Sequence, residues 1–243
     1  HVQGHGHGHC HGQGHGHGHG HGHGHWHGHG HGHGQGQGKQ NMKTAYVLGG
    51  VGNGNFLRPR YSNLVSIQWL AEFPEKDTAL PDLILFCGGG DLVPSTYGEN
   101  HPFISGDIHR DIWEESWFTW AVKNKIPMFG ICRGMQLFTA LTGGKLIPHV
   151  EGHFGHHAVE ISSTVPGEGF NVNSIHHQMC EPDWAQTELL AWARNVAFQE
   201  TIEPEALFFE EVQALGVQWH PEMMNTNTKA TQKVLEWVDK YLI

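Results

Sequence analysis

From residue 42 onward the sequence predicts an α/β fold: an open, mostly parallel sheet with helices on both faces and some antiparallel strands in the C-terminal half. Three observations predict it. Fully apolar runs such as Leu83-Ile84-Leu85-Phe86-Cys87 fit central strands buried on both faces, and they stop abruptly at glycines. Patterns at helical spacing separate these runs, and strand alternating with helix points to a parallel sheet. Beyond Thr142 the pattern changes to shorter strands.

Ala45-Tyr46-Val47-Leu48 reads as the first strand, ending at Gly49-Gly50, with a Gly/Asn-rich loop from Val51 to Asn55 after it. Leu64, Ile67, Leu70 and Ala71 repeat at helical spacing behind Ser62-Asn63, which can cap, so a helix is expected there. The strand from Leu83 stops at Gly88-Gly89-Gly90-Asp91. Three consecutive glycines expose backbone N–H groups at a strand's carboxyl end, either as donors to a developing oxyanion or as an ordinary tight loop.

A long loop runs from Leu92 to Ile108. Asp111 with Glu114 resembles a capping box, opening a helix whose stripe is Ile112, Trp113, Ser116, Trp117, Trp120 and Ala121. Its tryptophans read as core. Ile126-Pro127-Met128-Phe129 is the next buried strand, and Met135, Phe138 and Leu141 continue as a helix that Gly143-Gly144 terminates. Shorter strands are expected at Lys145 to Val150, His157 to Ile161, Leu189 to Trp192, Val196 to Gln199, Ala206 to Phe209 and Ala214 to Trp219. A last helix carries Ala230, Val234, Val238, Tyr241 and Leu242 along one side.

The first 41 residues are a different material. Residues 1 to 38 alternate His and Gly almost without interruption, which leaves no apolar face to bury, so residues 1–41 are expected to form a disordered low-complexity tail. Such a repeat binds metal ions adventitiously through neutral imidazoles. Met42-Lys43-Thr44-Ala45 reads like a natural start, and residues 42–243 as one domain of about 200 residues with a full core.

All 24 acidic residues lie in that domain, and Lys39 is the one basic residue outside it. So acidic a body argues against nucleic acid, which needs a basic stripe. No apolar run approaches a membrane span and no signal-peptide pattern is present. Cys10, Cys87, Cys132 and Cys180 show no zinc spacing, and no metal is expected in the domain. Thiols without a pairing pattern suggest a reduced, cytoplasmic setting.

Chemistry is suggested first at Gly130-Ile131-Cys132-Arg133-Gly134. Here a strand turns into a helix with the cysteine at the turn, and the flanking glycines suit a sharp backbone and close packing. The helix N-terminus sets backbone N–H groups and a partial positive charge beside the sulfur. Of nine histidines in the body, His220 stands directly after an apolar strand in Gln218-Trp219-His220-Pro221-Glu222. In an extended chain Glu222 lies on the same face as His220 and can orient its imidazole. Nucleophile, base and orienter thus follow in the order Cys132, His220, Glu222.

These two motifs resemble those of class I glutamine amidotransferases. Gly88-Gly89-Gly90-Asp91 with Pro94 and Tyr97-Gly98-Glu99, Asp107-Ile108-His109-Arg110-Asp111, Arg133, Gly143-Gly144-Lys145-Leu146 and Val172-Asn173-Ser174-Ile175-His176-His177-Gln178 are similar to the γ-glutamyl-γ-aminobutyrate hydrolase and γ-glutamyl hydrolase branch, peptidase C26. The resemblance implies a flavodoxin-like sheet and a cysteine-dependent hydrolase of γ-glutamyl amides, acting through a thioester and without a cofactor. It implies an oxyanion hole from the backbone of Arg133 and of Gly89 or Gly90, and a glutamyl pocket with Gln136, His176 and His177. Its partner would be a small γ-glutamyl substrate or glutamine. Two other readings stay open: a glutaminase subunit feeding ammonia to a separate synthetase, and a non-catalytic binding or regulatory protein. A homo-oligomer is compatible with each.

Overall fold

The computed structural model describes residues 42–162, 168–193 and 202–243. The strands are β1 (Thr44–Leu48), β2 (Asn63–Ile67), β3 (Leu83–Phe86), β4 (Met128–Ile131), β5 (Lys145–Ile147), β6 (Phe154–Ile161), β7 (Gly169–Ile175), β8 (Met179–Glu181), β9 (Thr187–Ala193), β10 (Glu203–Phe209) and β11 (Ala214–Val217). The helices are α1 (Ile108–Asn124), α2 (Arg133–Leu141) and α3 (Lys229–Tyr241). One nine-stranded sheet runs β2-β1-β3-β4-β11-β10-β9-β6-β7, and β5 pairs with β8 separately. From β2 to β11 the neighbours are parallel; from β11 to β7 they are antiparallel.

Alternation along the central strands divides the core in two. Ala45, Val47, Leu83, Leu85, Phe129 and Ile131 face a cluster with Val234, Leu235 and Val238 of α3. Ile84, Phe86 and Met128 face the opposite cluster, with Trp113 and Trp117 of α1 and Met135 and Phe138 of α2. Because each of these strands is covered on both sides, its residues are apolar without interruption.

The expected helix through Leu64 to Ala71 is instead strand β2, paired with β1 from Thr44↔Asn63 to Leu48↔Ile67. Its supposed apolar stripe is not covered: Leu70 has a φ of 55° and is 39% exposed. The connection between β1 and β2 is a short 3-10 segment, Val51–Leu57, which buries Phe56 and Leu57. A second correction concerns α1. It begins at Ile108, capped by Asp107, whose side chain accepts from the N–H groups of His109 (3.0 Å) and Arg110 (3.4 Å). Asp111 and Glu114 are not a capping box; both are buried and face inward. Trp113 and Trp117 are core as expected, whereas Ile112 faces solvent.

Helix α2 ends where expected, with Gly143 at a φ of +89° taking up the left-handed turn. The strands expected near Lys145, His157, Leu189, Ala206 and Ala214 are present. The one expected at Val196 to Gln199, like the His-Gly tail, lies outside the described residues. Strands β7 and β8 were not anticipated, and β7 alternates asparagines with apolar residues, which propensity disfavours. Among the described residues no helix is long and apolar enough to cross a membrane.

Helix α2 lies hard on the sheet at Gly134, where a β-carbon would stand 2.5 Å from the carbonyl oxygen of Phe86 and 3.0 Å from its Cβ. Gly134→Ala is therefore expected to cost about 1–3 kcal/mol or more, measured as a lower denaturant midpoint; an unchanged midpoint would show that helix and strand do not approach this closely.

Candidate active site

The parallel neighbours β4 and β11 bring two chain segments to one sheet edge. Beyond β4 comes Cys132; beyond β11 come Gln218, Trp219 and His220. Cys132 adopts φ 49° and ψ −102°, a backbone conformation that L-residues avoid and that surrounding contacts must impose. Its N–H donates to Val217 O at 2.7 Å, and its carbonyl accepts from the N–H of Gln136 at 3.2 Å. Gly130 completes the turn: a β-carbon there would stand 2.6 Å from the Gly134 carbonyl carbon and 2.7 Å from the Phe138 ring.

His220 is held at backbone and side chain. The Asn173 amide on β7 accepts from His220 N–H at 2.9 Å and donates to His220 O at 3.0 Å. Nδ1–H donates to Glu222 Oε1 at 2.7 Å. The link between them is not extended, as the sequence suggested, but a 3-10 turn, Pro221–Met223, that folds the carboxylate back onto the ring. Burial by itself would lower the His220 pKa, yet hydrogen bonds to Cys132 and Glu222 and the negative charge on both push it up to about 10. An imidazolium beside the sulfur is the favoured form.

Gln218 reaches the same sulfur. Its Nε2 lies 3.5 Å from Cys132 Sγ, while its Oε1 accepts from Gln136 Nε2 at 3.4 Å. Gln136 Nε2 also donates to Gln178 O at 3.2 Å, so this buried side chain braces Gln218. Burial pushes the two other thiols of the domain, Cys87 and Cys180, up to about 12, which leaves them unreactive.

The glycine loop after β3 passes beneath the histidine. A β-carbon on Gly88 would stand 2.8 Å from His220 Cε1 and 3.6 Å from Cys132 Cβ. Arg110 Nη2 donates to the carbonyls of Cys87 (3.2 Å) and Gly88 (3.0 Å), and its Nε to Glu114 at 2.9 Å. With the Gly88 carbonyl turned to Arg110, the N–H of Gly89 in that trans peptide points the opposite way. Arg133, 1% exposed, joins the network by pairing with both Asp111 and Glu114. Asp111 also accepts from Val93 N–H (2.9 Å) and Thr96 Oγ1 (2.7 Å), so one charge cluster fastens α1, α2 and two loops.

Beside the glycine loop lies a cavity of about 510 Å³, with Asn53, Gly90, Asp91, Ser105 and Arg110 among its walls. Its wall residue Asp91 pairs with His177 Nε2 at 3.1 Å. His176 is buried, with Nδ1 on Gln178 O at 3.0 Å and Nε2 at 3.7 Å from Glu205. Arg110, Asn173 and Gln218 escaped notice in the sequence as parts of the site, although Arg110 and Asn173 fall in the segments that carry the resemblance.

The mostly parallel sheet with a cysteine turn at its carboxyl edge has the class I glutamine amidotransferase-like fold, as its likeness to a solved glutamine amidotransferase shows. Within that class the chain belongs to the peptidase C26 family, whose sequence profile matches residues 72–222. It is 30% identical over 181 residues to protein NtpR of Enterococcus hirae, covering 64% of this chain and 73% of that one. It is 28% identical over 170 residues to the γ-glutamyl-γ-aminobutyrate hydrolase of Escherichia coli, covering 60% and 65%. A glutamine amidotransferase structure from Thermotoga maritima shares the fold, with a TM-score of 0.54, 18% identity and 82% coverage of each chain.

Two outcomes are expected from this geometry. His220 should stay protonated to about pH 10 in an NMR titration. A raised imidazole pKa stabilises the fold fully below its ordinary value of 6.5, and that contribution is lost as pH rises through 10. Cys132→Ala and Glu222→Gln should each lower the midpoint, and a wild-type midpoint near 6.5 would contradict the arrangement. Arg133→Leu, which takes the shared guanidinium from two buried carboxylates and leaves Asp111 without a cation, should cost about 3–5 kcal/mol, and adding Asp111→Asn and Glu114→Gln should recover part of that loss in thermal or denaturant melts.

Proposed function

We propose that the protein hydrolyses γ-glutamyl amide bonds, with Cys132 as nucleophile, His220 as acid and base, and Glu222 as the orienting carboxylate. The observation that carries the proposal is the geometry at the sheet edge: Cys132 on a strained strand-to-helix turn beside a buried histidine that Asn173 clamps and that Glu222 Oε1 holds at 2.7 Å. The sulfur attacks the γ-carbonyl carbon, and the carbonyl electron pair moves onto oxygen. That oxyanion is met by the backbone N–H groups of Arg133 and of Gly89, with Gly90 the neighbouring alternative; such donors contribute a few kcal/mol to the barrier.

Collapse of the tetrahedral species breaks the carbon–nitrogen bond, and the departing amine takes the proton from His220. A γ-glutamyl thioester remains on Cys132. His220, now neutral, takes a proton from water as it adds to the thioester. Expulsion of the sulfur then releases the γ-carboxylic acid, which gives its proton to the solvent or the freed amine, and returns Cys132 and His220 to their starting state. The amino-acid end of the substrate fits the cavity, where Asp91 and its partner His177 complement an α-ammonium and carboxylate. Gln136, whose Nε2 is engaged by Gln178 O and Gln218 Oε1, and His176, whose Nδ1 faces Gln178 O, act by bracing.

Glutamine would pass through the same steps with ammonia as leaving group, which is the reading as a glutaminase subunit for a synthetase. Assays of γ-glutamyl-aminobutyrate and glutamine separate the two. The hydrolase reading expects turnover of the first by the protein alone; activity on glutamine only with an added partner would replace it by the second. Cys132→Ala should lose turnover and covalent labelling by a glutamine-like electrophile, a drop of about 10⁴-fold or more. Labelling that persists in this variant would remove Cys132 from the mechanism, and a folded wild type inert toward both substrates would favour a binding role.

A further inference from the structure

In the antiparallel half of the sheet four side chains converge on one buried point. They are His153 before β6, His157 on β6, His176 just after β7 and Glu205 on β10, with one ligand atom from each within 4.8 Å of every other. His153 Nδ1 and His157 Nε2 are each 3.2 Å, and His176 Nε2 3.7 Å, from the same oxygen of Glu205. All four of these atoms are buried, and none has the alignment of a hydrogen bond. Unpaired polar atoms in a protein interior are costly and rare.

The opposite nitrogen of each ring explains what the inward ones carry. His153 Nε2 faces Glu203 Oε2 at 3.2 Å, His176 Nδ1 faces Gln178 O at 3.0 Å, and His157 Nδ1 faces Ala158 O at 3.4 Å. Each of these oxygens is an acceptor, so each neutral ring keeps its hydrogen on the outer nitrogen. Three lone pairs and a carboxylate oxygen then point at one another in a medium of low dielectric constant. A positive charge bound among them, a metal ion or a proton shared with Glu205, turns that repulsion into attraction, and three imidazoles with one carboxylate make a donor set for the metal ion. Outer carboxylates and carbonyls on ligand histidines are also the partners that fix metal-binding tautomers.

Donor type and spacing together favour zinc. Ligands at about 2.0–2.1 Å around a tetrahedral zinc ion stand about 3.3 Å apart, close to the 3.2, 3.2 and 3.7 Å from Glu205 to the three nitrogens, and the whole set lies within 4.8 Å. We propose that His153, His157, His176 and Glu205 bind one zinc ion, against the sequence-based expectation of no metal in the domain. Four protein ligands complete a tetrahedron, which makes the site structural. It would pin β6, β7 and β10 at a point connected to the active site: Gln218 N–H donates to Glu205 O at 2.7 Å, and Asn173, which clamps His220, precedes His176 on the same stretch. This inference stands apart from the proposed activity, because its readout is coordination and not turnover.

The His-Gly repeat will also bind metal, so the test must report geometry as well as amount. Full-length protein stripped with a chelator is titrated with Co2+ and its visible spectrum recorded. The first equivalent should give the intense bands of four-coordinate cobalt, removed by one equivalent of Zn2+, whereas hydrated cobalt on the repeat gives only weak six-coordinate bands. Glu205→Gln and His176→Ala should lose the intense bands and keep the weak ones. Glu203→Gln, which leaves all four ligands, should keep them with affinity about 10–100-fold lower. Weak bands alone in the wild type, which needs no variant to fold, would overturn the proposal, as would intense bands unchanged in both ligand variants.

Discussion

The active-site edge depends on how closely α2 can lie against the ends of β3, β4 and β11. Gly130, Gly134 and Gly216 remove the side chains that would hold the helix away; a β-carbon on Gly216, for example, would stand 2.7 Å from Met135 Cβ. With no room to spare, the chain can pass from strand to helix only through the unfavourable backbone angles at Cys132. The bond from Cys132 N–H to Val217 O ties that strained residue to the very strand that delivers Gln218 and His220. Position of the sulfur and position of its base are thus settled by the same contact.

Around this edge the supporting interactions differ in kind. On the α1 side they are charges: Arg133 pairs with buried Asp111 and Glu114, and Glu114 is shared with Arg110, which grips the glycine loop through two carbonyls. Removing water from such groups is expensive, and mutual pairing is what offsets it. On the other side they are neutral amides, Asn173 on the backbone of His220 and Gln136 on Gln218. These amides hold geometry through neutral hydrogen bonds, while Glu222 brings a charge onto the His220 ring.

The central strands were legible because burial on both faces demands unbroken apolar residues, as in Leu83 to Phe86 and Ala206 to Phe209. Edge strand β2 was not. Leu64, Ile67, Leu70 and Ala71 satisfy helical spacing, and spacing carries no information about the space already filled by Phe56 and Leu57. Asp111 and Glu114 misled for a similar reason: a carboxylate near a helix start looks the same whether it caps the backbone or reaches a distant arginine. Cys132, His220 and Glu222 stood out through their local motifs, whereas Asn173 and Arg110 act across strands and loops that only the tertiary structure brings together. The histidine cluster was invisible for the same cause, since its members come from three separate strands or their ends and one of them, β7, carried no recognisable strand pattern.

The strand order also has a consequence for synthesis. Cys132 and Gln218 are 86 residues apart in the chain, and β4 has its permanent neighbour β11 only when the last strand has been made. Pairings of such long range form late, after much loop-closure entropy has been overcome. A growing chain emerges N-terminus first and folds as its units become complete. While it is still attached to the ribosome, with β11 not yet released, the Cys132 turn has neither the Val217 carbonyl that anchors it nor its neighbour Gln218. The strained turn at Cys132 is therefore completed only after β11 has joined the sheet.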